Sequence, residues 1–318
     1  MLAALTFMLT AQPSLASPKI LVDVQTGTVL YEEDASKSWH PASVTKLMTA
    51  NLAFKAIREG RATLRTPIVM TQHAASLPPS KLGLEVGHGL LLYDALRIML
   101  TRSMNDVASA IAENLAGSEA SFVAEMNTEA ARLGMRGTRF TNPSGLPDAS
   151  QVSTAEDLAI LARHILLSYP ESLPLFSIPE LKVAGKTLKN TNGLIGKFEG
   201  ADGMKTGYIC SSGFNLVSTA QRNGRRLLSI VLGAPNTHKR EKAASNLLEY
   251  GFKNASHSIR GLNSTVTAPS NASDMRKWQC GKTYPGFSTE LKGATPELHL
   301  ATPSPRPKED KPPRIRRF

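Results

Sequence analysis

Cysteine is almost absent from this chain, with 2 in 318 residues, Cys210 and Cys280. Two cysteines cannot staple a small disulfide scaffold, and no CxxC pair or Cys/His cluster is spaced for zinc. Nothing in the sequence joins the two, so two unpaired thiols are the expectation, with Cys210 a packed one. Long apolar runs are missing as well. The only one near a terminus, Met1 to Ala11, is too short to span a bilayer. No Lys or Arg precedes Lys19. Even so, Ser14-Leu15-Ala16 has the small-x-small pattern of a signal-peptide cleavage site. Residues 1–16 are therefore expected to be a leader, and the mature chain to start near Ser17. There is no internal repeat. "GKTY" at 281–284 is not a phosphate loop, because Arg276 stands where that motif needs glycine.

What is present suits a soluble globular protein. Hydrophobic residues make up 41% and charged residues 20%. Lys and Arg number 37 against 26 Asp and Glu, a net charge of +11. That balance favours anionic partners. The excess is dispersed or in the tail and no recognition motif accompanies it, so a nucleic-acid binder is not indicated.

Periodicity divides the chain. "ILVDVQTGTVLYEED" alternates around Gly27 and predicts a hairpin. A helix holding Ser43 follows, then a loop-rich stretch over 62–89. Apolar positions at three-to-four spacing predict a mostly helical region over 90–168. Its last helix is predicted to open on a capping box of Ser153 and Glu156. "GFNLVSTAQRNGRRLLSIVLGA" predicts a second hairpin about Asn223-Gly224. "HKREKAASNLLEYGF" predicts a closing helix stopped by Gly251. Strands at both ends and helices between them predict an α/β (α+β) domain. One antiparallel sheet is flanked by helices and carries a mostly helical insert. Composition changes after residue 253. The final sixteen residues hold five prolines, six Lys or Arg and two acids, so 254–318 is expected to be a basic, Pro-rich, disordered tail.

"HPASVTKLMTANLAF" raises a chemical question, because Ser43 and Lys46 stand three apart at the start of an apolar helix. Residues i and i+3 share a helix face. A helix start favours negative charge, which suits an activated serine oxygen. A lysine removed from water has a lowered pKa, more so beside another cation. A neutral lysine can take the serine proton, so the pair reads as nucleophile and base. Alone the pattern is weak, since a surface lysine can pass a serine by chance. Two further elements strengthen it: Ser103-Met104-Asn105 between helical runs, and Lys205-Thr206-Gly207 opening a strand. S-x-x-K, S-x-N and K-T-G in this order are shared by penicillin-binding proteins and β-lactamases.

The stretches "ILVDVQTGTVLYEEDASKSWHPASVTKLMTA", "PPSKLGLEVGH", "NPSGLP" and "NTNGLIGKFEGADGMKTGY" extend the likeness. Residues 18–253 resemble the low-molecular-weight penicillin-binding proteins, the serine D-alanyl-D-alanine carboxypeptidases. The resemblance implies a serine β-lactamase/penicillin-binding transpeptidase-like fold for a catalytic domain over 17–253, exported to the periplasmic or cell-wall side of a bacterial inner membrane. It implies removal of the terminal D-alanine from peptidoglycan stem pentapeptides in cell-wall maturation, inhibition by β-lactam antibiotics, and no cofactor or metal. By similarity Ser43 is the nucleophile, Lys46 the base and Ser103 a proton relay. Asn105 holds the substrate amide. Lys205, Thr206 and Arg240 take the terminal carboxylate. Gly207 lets the substrate backbone lie against the strand. The backbone N–H groups of Ser43 and Tyr208 form the oxyanion hole.

Tyr208 replaces the histidine common at that position, which leaves a backbone donor intact. The second β-rich domain and the amphipathic membrane helix of many relatives are not legible after residue 253; the basic tail offers a contact to anionic lipid or wall polymer. Three alternatives share the pattern. A D,D-endopeptidase would use the same residues. A non-catalytic wall binder would keep only the fold. A β-lactamase would need a deacylating E-x-x-x-N, and no glutamate between Asn105 and Lys205 has asparagine four residues on.

Overall fold

The computed structural model describes residues 17–183, 185–254, 257–276 and 287–291. The leader expected over 1–16, Cys280 and the Pro-rich end lie outside the described residues. Ten strands run in chain order: β1 (Lys19–Asp23), β2 (Thr28–Glu33), β3 (Pro67–Val69), β4 (Gly89–Leu91), β5 (Glu180–Val183), β6 (Lys186–Lys189), β7 (Ala201–Ile209), β8 (Gly213–Arg222), β9 (Arg225–Ala234) and β10 (Arg260–Gly261). The helices are α1 (Lys46–Arg58), α2 (Gln72–Ser76), α3 (Leu92–Arg102), α4 (Asn105–Ala116), α5 (Glu119–Leu133), α6 (Ala155–Ser168), α7 (Leu173–Phe176) and α8 (Thr237–Lys253).

Six strands form the central sheet in the order β10-β2-β1-β9-β8-β7, and its pairings are antiparallel. Both expected hairpins are there. Gly27 takes φ +73 in the first. Asn223 and Gly224 take φ +49 and +78 in the second, the pair of left-handed residues that a two-residue type I′ turn needs.

The strands are apolar on both faces because both are covered. Ile20 and Val22 of β1 face the large core built with α1, α4 and α6, while Leu21 between them joins the α8 cluster. Residues Leu228, Ile230 and Leu232 of β9 follow the first pattern, Leu227 and Val231 the second. Period-two alternation thus assigns each side chain to one of two cores. Full burial of such a side chain stabilises the fold by about 1.5–3 kcal/mol.

Three local expectations change. α6 is capped by Thr154, whose hydroxyl accepts from Asp157 N, and not by Ser153. The Ser153 hydroxyl is taken by Thr138, and Glu156 is drawn away to Arg260 and Thr265. α8 runs through Gly251 to Lys253. Gly251 is a close-packing residue: a Cβ there would lie 2.7 Å from methyls of both Leu21 and Leu227.

The third change concerns the tail. Residues 257–276 are a strap tied to the domain at a few points and largely exposed between them. Its β10 pairs with Thr28 and Val29 on the β2 edge of the sheet. Arg260 pairs with Glu32 at 2.5 Å and with buried Glu156. Met275 is fully buried. The apolar anchors are sparse and their partners remote in sequence, so periodicity does not reveal them.

Gly251→Ala tests the packing. Replacing a mid-helix glycine normally gains about 0.5–1 kcal/mol. Overpacking a fixed core costs about 1–3 kcal/mol, which wins here because both leucines are buried. A net loss of stability at unchanged denaturant slope is expected in urea unfolding.

Candidate active site

Ser43 lies in a single 3₁₀ turn, Ala42–Thr45, and α1 begins at Lys46. In a 3₁₀ turn positions i and i+3 eclipse, so the tighter turn brings the two side chains together directly. Lys46 Nζ is 3.1 Å from Ser43 Oγ and 2.7 Å from Asn105 Oδ1, and it also meets the Ser144 carbonyl. Lys46 is fully buried. Burial first, and then the Lys205 charge, holds its pKa well below the usual lysine range, against an opposing pull from Asp106. A neutral amine has two N–H donors and one lone pair. The amide oxygen of Asn105 and the carbonyl of Ser144 only accept, so they take both donors. The lone pair is left for the Ser43 hydroxyl, which then donates to it.

The second motif is built on a bend. Ser103 ends α3 in the left-handed region, φ +66, and Asn105 opens α4. The reversal turns the Ser103 hydroxyl and the Asn105 amide toward the cleft. Asn105 Nδ2 donates to Pro79 O and its backbone N to Ser80 O, so the 77–83 loop helps fix its orientation. Asp106 holds the same loop by accepting from Leu82 N and Gly83 N.

The third motif lies in β7 with alternating sides. Lys205 is buried and its Nζ donates to Ser103 Oγ at 2.9 Å and to Thr206 O at 2.8 Å. Burial and the charge of Arg240 lower its pKa to about 7. Thr206 Oγ1 is 2.7 Å from Thr191 Oγ1, and Arg240 donates to Thr191 O at 3.2 Å. Arg240 is itself buried, which lowers its pKa against the opposing effect of Glu241. Its Nε has no hydrogen-bond partner within the protein. Gly207 packs against the nucleophile's turn, where a Cβ would stand 2.8 Å from Pro41 O and 3.0 Å from Ser43 N. Only glycine permits that approach. It sets the Ser43 and Tyr208 backbones side by side.

All nine residues singled out from the sequence therefore meet around one cleft of about 570 Å³. Ser43, Ser103, Asn105, Thr206, Gly207, Tyr208 and Arg240 line it, and Lys46 and Lys205 reach it from below. No carboxylate lines it among the described residues. Sequence reasoning missed several supports. Ser144 acts through its carbonyl. Thr191 links Arg240 to Thr206. Asn215 donates to His40 O and Pro41 O, anchoring the approach to Ser43. Gly145 makes room for Ala42 O, 2.0 Å from where its Cβ would be. Ser144, Gly145 and Thr191 fall in the stretches "NPSGLP" and "NTNGL", so their signal was present without a role attached. Cys210 is disulfide-bonded, contrary to the expected unpaired thiol. No group of residues arranged to hold a metal ion occurs among the described residues.

The site sets a pH profile. If Lys46 is the base, it must be neutral to act, and kcat/KM is expected to rise as pH rises through its lowered pKa. Lys205 binds an anion only when charged, so kcat/KM falls as pH rises through about 7. A bound carboxylate raises the Lys205 pKa, so the alkaline limb of kcat should lie above that of kcat/KM. Lys205→Arg should remove that limb, and a limb persisting near pH 7 in this variant would reassign it. Lys46→Met should slow acylation by about 10²–10⁴-fold, measured by stopped-flow with a chromogenic β-lactam.

Comparison with known proteins gives the same direction. The family model described as D-alanyl-D-alanine carboxypeptidase matches residues 7–236. D-alanyl-D-alanine carboxypeptidase DacF of Bacillus subtilis is 34% identical over 258 residues, covering 79% of this chain and 66% of the relative. DacA of Haemophilus influenzae is 33% identical, covering 75% of this chain and 62% of the relative. The chain thus spans somewhat less than two thirds of these relatives' length. Among solved structures, penicillin-binding protein 5 from Haemophilus influenzae superposes with a TM-score of 0.72 at 32% identity, over 77% of this chain and 73% of that one. Penicillin-binding protein D2 from Listeria monocytogenes, in its ampicillin-bound form, gives 0.68 at 35% identity, over 76% and 100%. The chain belongs to the D-alanyl-D-alanine carboxypeptidase family of serine peptidases.

Proposed function

We propose that this protein is a serine D-alanyl-D-alanine carboxypeptidase of bacterial cell-wall peptidoglycan. The observation that carries the reading is the Lys46 amine, fully buried, held by Asn105 Oδ1 and the Ser144 carbonyl, and 3.1 Å from Ser43 Oγ. Ser43 Oγ attacks the carbonyl between the two terminal D-alanines, and its proton passes to Lys46. The developing oxyanion accepts from the N–H groups of Ser43 and Tyr208. Ser103 passes a proton to the leaving amine, D-alanine departs, and water then hydrolyses the acyl-enzyme. Lys205, Thr206 and Arg240 hold the terminal carboxylate, and Asn105 the substrate amide.

Two features favour a penicillin-binding peptidase over a β-lactamase. The 105–205 insert has no E-x-x-x-N, and no described carboxylate lines the cleft to activate a deacylating water. The bound state of the Listeria protein supports β-lactam binding here too. The expected location is outside the cytoplasm, where the substrate is. No helix among the described residues is long and apolar enough to cross a membrane.

Fluorescent penicillin labelling over time, wild type beside Ser43→Ala, tests the reading. A lasting covalent band in wild type alone is expected. A fleeting band with rapid loss of penicillin would make the protein a β-lactamase, and no band would leave the fold without its chemistry. A digest of purified sacculi should then release free D-alanine. Split dimers in its place would make the enzyme a D,D-endopeptidase.

A further inference from the structure

The cleft borders a tight turn that its own strands close through Ser212, whose N donates to Ile209 O at 3.0 Å and whose Oγ accepts from Ile209 N at 3.1 Å. β7 ends at Ile209 and β8 begins at Gly213, so Cys210, Ser211 and Ser212 form the link. This link lies two residues beyond Tyr208, whose backbone N–H serves the oxyanion in the reading above. Tyr208 is 41% exposed and rests on Phe214 across the turn, ring centroids 4.2 Å apart.

Three ties from outside the hairpin converge on the link. Trp39, four residues before the nucleophile, donates from Nε1 to Ser212 O at 2.8 Å. Met275 donates from its backbone N to Ser211 O at 3.0 Å, with its side chain fully buried. Cys210 is covalently held by a disulfide. The Met275 tie comes from the strap, which is itself tied to the domain at a few points. Ile259 N and Leu262 N donate to Val29 O and Gly27 O. Thr265 donates to Glu156 from both N and Oγ1, at 3.0 and 2.8 Å. Ser38 Oγ donates to Ser270 O at 2.6 Å. One end of the strap therefore grips the far edge of the sheet, and the other grips the catalytic turn. Ser38 and Trp39 connect both to the segment leading into Ser43.

We propose that Cys210 and Met275 are positioning residues, and that the disulfide and the strap together hold the β7–β8 turn where the Tyr208 N–H can meet the reacting carbonyl oxygen. The inference rests on the carboxypeptidase reading. It makes catalysis sensitive to reduction: a dithiol delivers two electrons and two protons to the disulfide, which becomes two thiols, while the dithiol closes into its cyclic disulfide. The turn then keeps only its hydrogen bonds. Oxyanion stabilisation depends on donor placement to a fraction of an ångström, so kcat suffers while carboxylate binding at Lys205, Thr206 and Arg240 does not.

The test is steady-state hydrolysis of a diacyl-D-Ala-D-Ala peptide by the full chain, oxidised and after dithiothreitol, with thiol titration and near-ultraviolet circular dichroism. Losing one oxyanion donor costs about 10²–10³-fold, so a loosened one should cost about tenfold in kcat, with KM held within about twofold. The dichroism should be unchanged and reoxidation should restore the rate. Cys210→Ser should begin at the low kcat and not respond to the dithiol. Met275→Pro, which lacks the N–H, should lower kcat with the disulfide intact. Fully reduced protein with the oxidised kcat would overturn the inference. So would loss of the near-ultraviolet signal, since the disulfide would then be serving global stability. An oxidised wild type that neither hydrolyses the peptide nor reacts with penicillin would instead overturn the functional reading, and the inference with it.

Discussion

The burial of the Lys46 amine is the constraint on which the rest of the site depends. An ammonium ion taken out of water is strongly disfavoured unless paired, and no carboxylate forms an ion pair with it among the described residues. Burial therefore pushes its pKa well below the usual lysine range, favouring the neutral amine. The structure around it is then built for a neutral amine. It supplies two acceptors and one hydroxyl, each from a different element: the 144 loop, the start of α4 and the 3₁₀ turn. Three separate segments must therefore be placed correctly before one nitrogen can function as a base.

The cations behind it form a graded series. Arg240 depresses Lys205, and Lys205 depresses Lys46, while Glu241 offsets only the first of them. Like charges crowded in a low-dielectric cleft oppose folding. The arrangement becomes favourable when an anion arrives. A carboxylate at Lys205 would restore the charge of that lysine and neutralise it as a pair.

Much of this was legible in the sequence where the cause was local. The left-handed turns at Gly27 and Asn223-Gly224 come from residues beside them, and the Ser43/Lys46 spacing carries its own geometry. Among the described residues, the strands and helices follow the expected sequence of hairpin, helical region and hairpin. What was not legible came from distant partners. Gly251 looks like a helix stop until two leucines from other strands are seen against it. Ser153 loses its capping role to Thr154 because Thr138 takes its hydroxyl. The strap over 257–276 has the composition of a solvated tail, and its few anchors are met by Glu32, Glu156 and Ser211. The supporting site residues escaped for a similar reason: Ser144 acts through its backbone, and Thr191 and Asn215 act on neighbours remote in sequence.

The central sheet has two ends, and they are treated oppositely. At one, the two residues of β10 pair with Thr28 and Val29 at the start of β2. At the other, β7 has no strand beyond it among the described residues. A row of unmet backbone groups is ordinarily a hazard, since any extended chain can add to it. Here the same row borders Ser43, and under the proposed function an incoming stem peptide would be an extended chain able to line up on it. The protein cannot protect this border by closing it without also closing its own catalytic cleft. Defence against self-association must come from elsewhere, and the net charge of +11, which makes copies of the chain repel one another, is of the right kind to supply it.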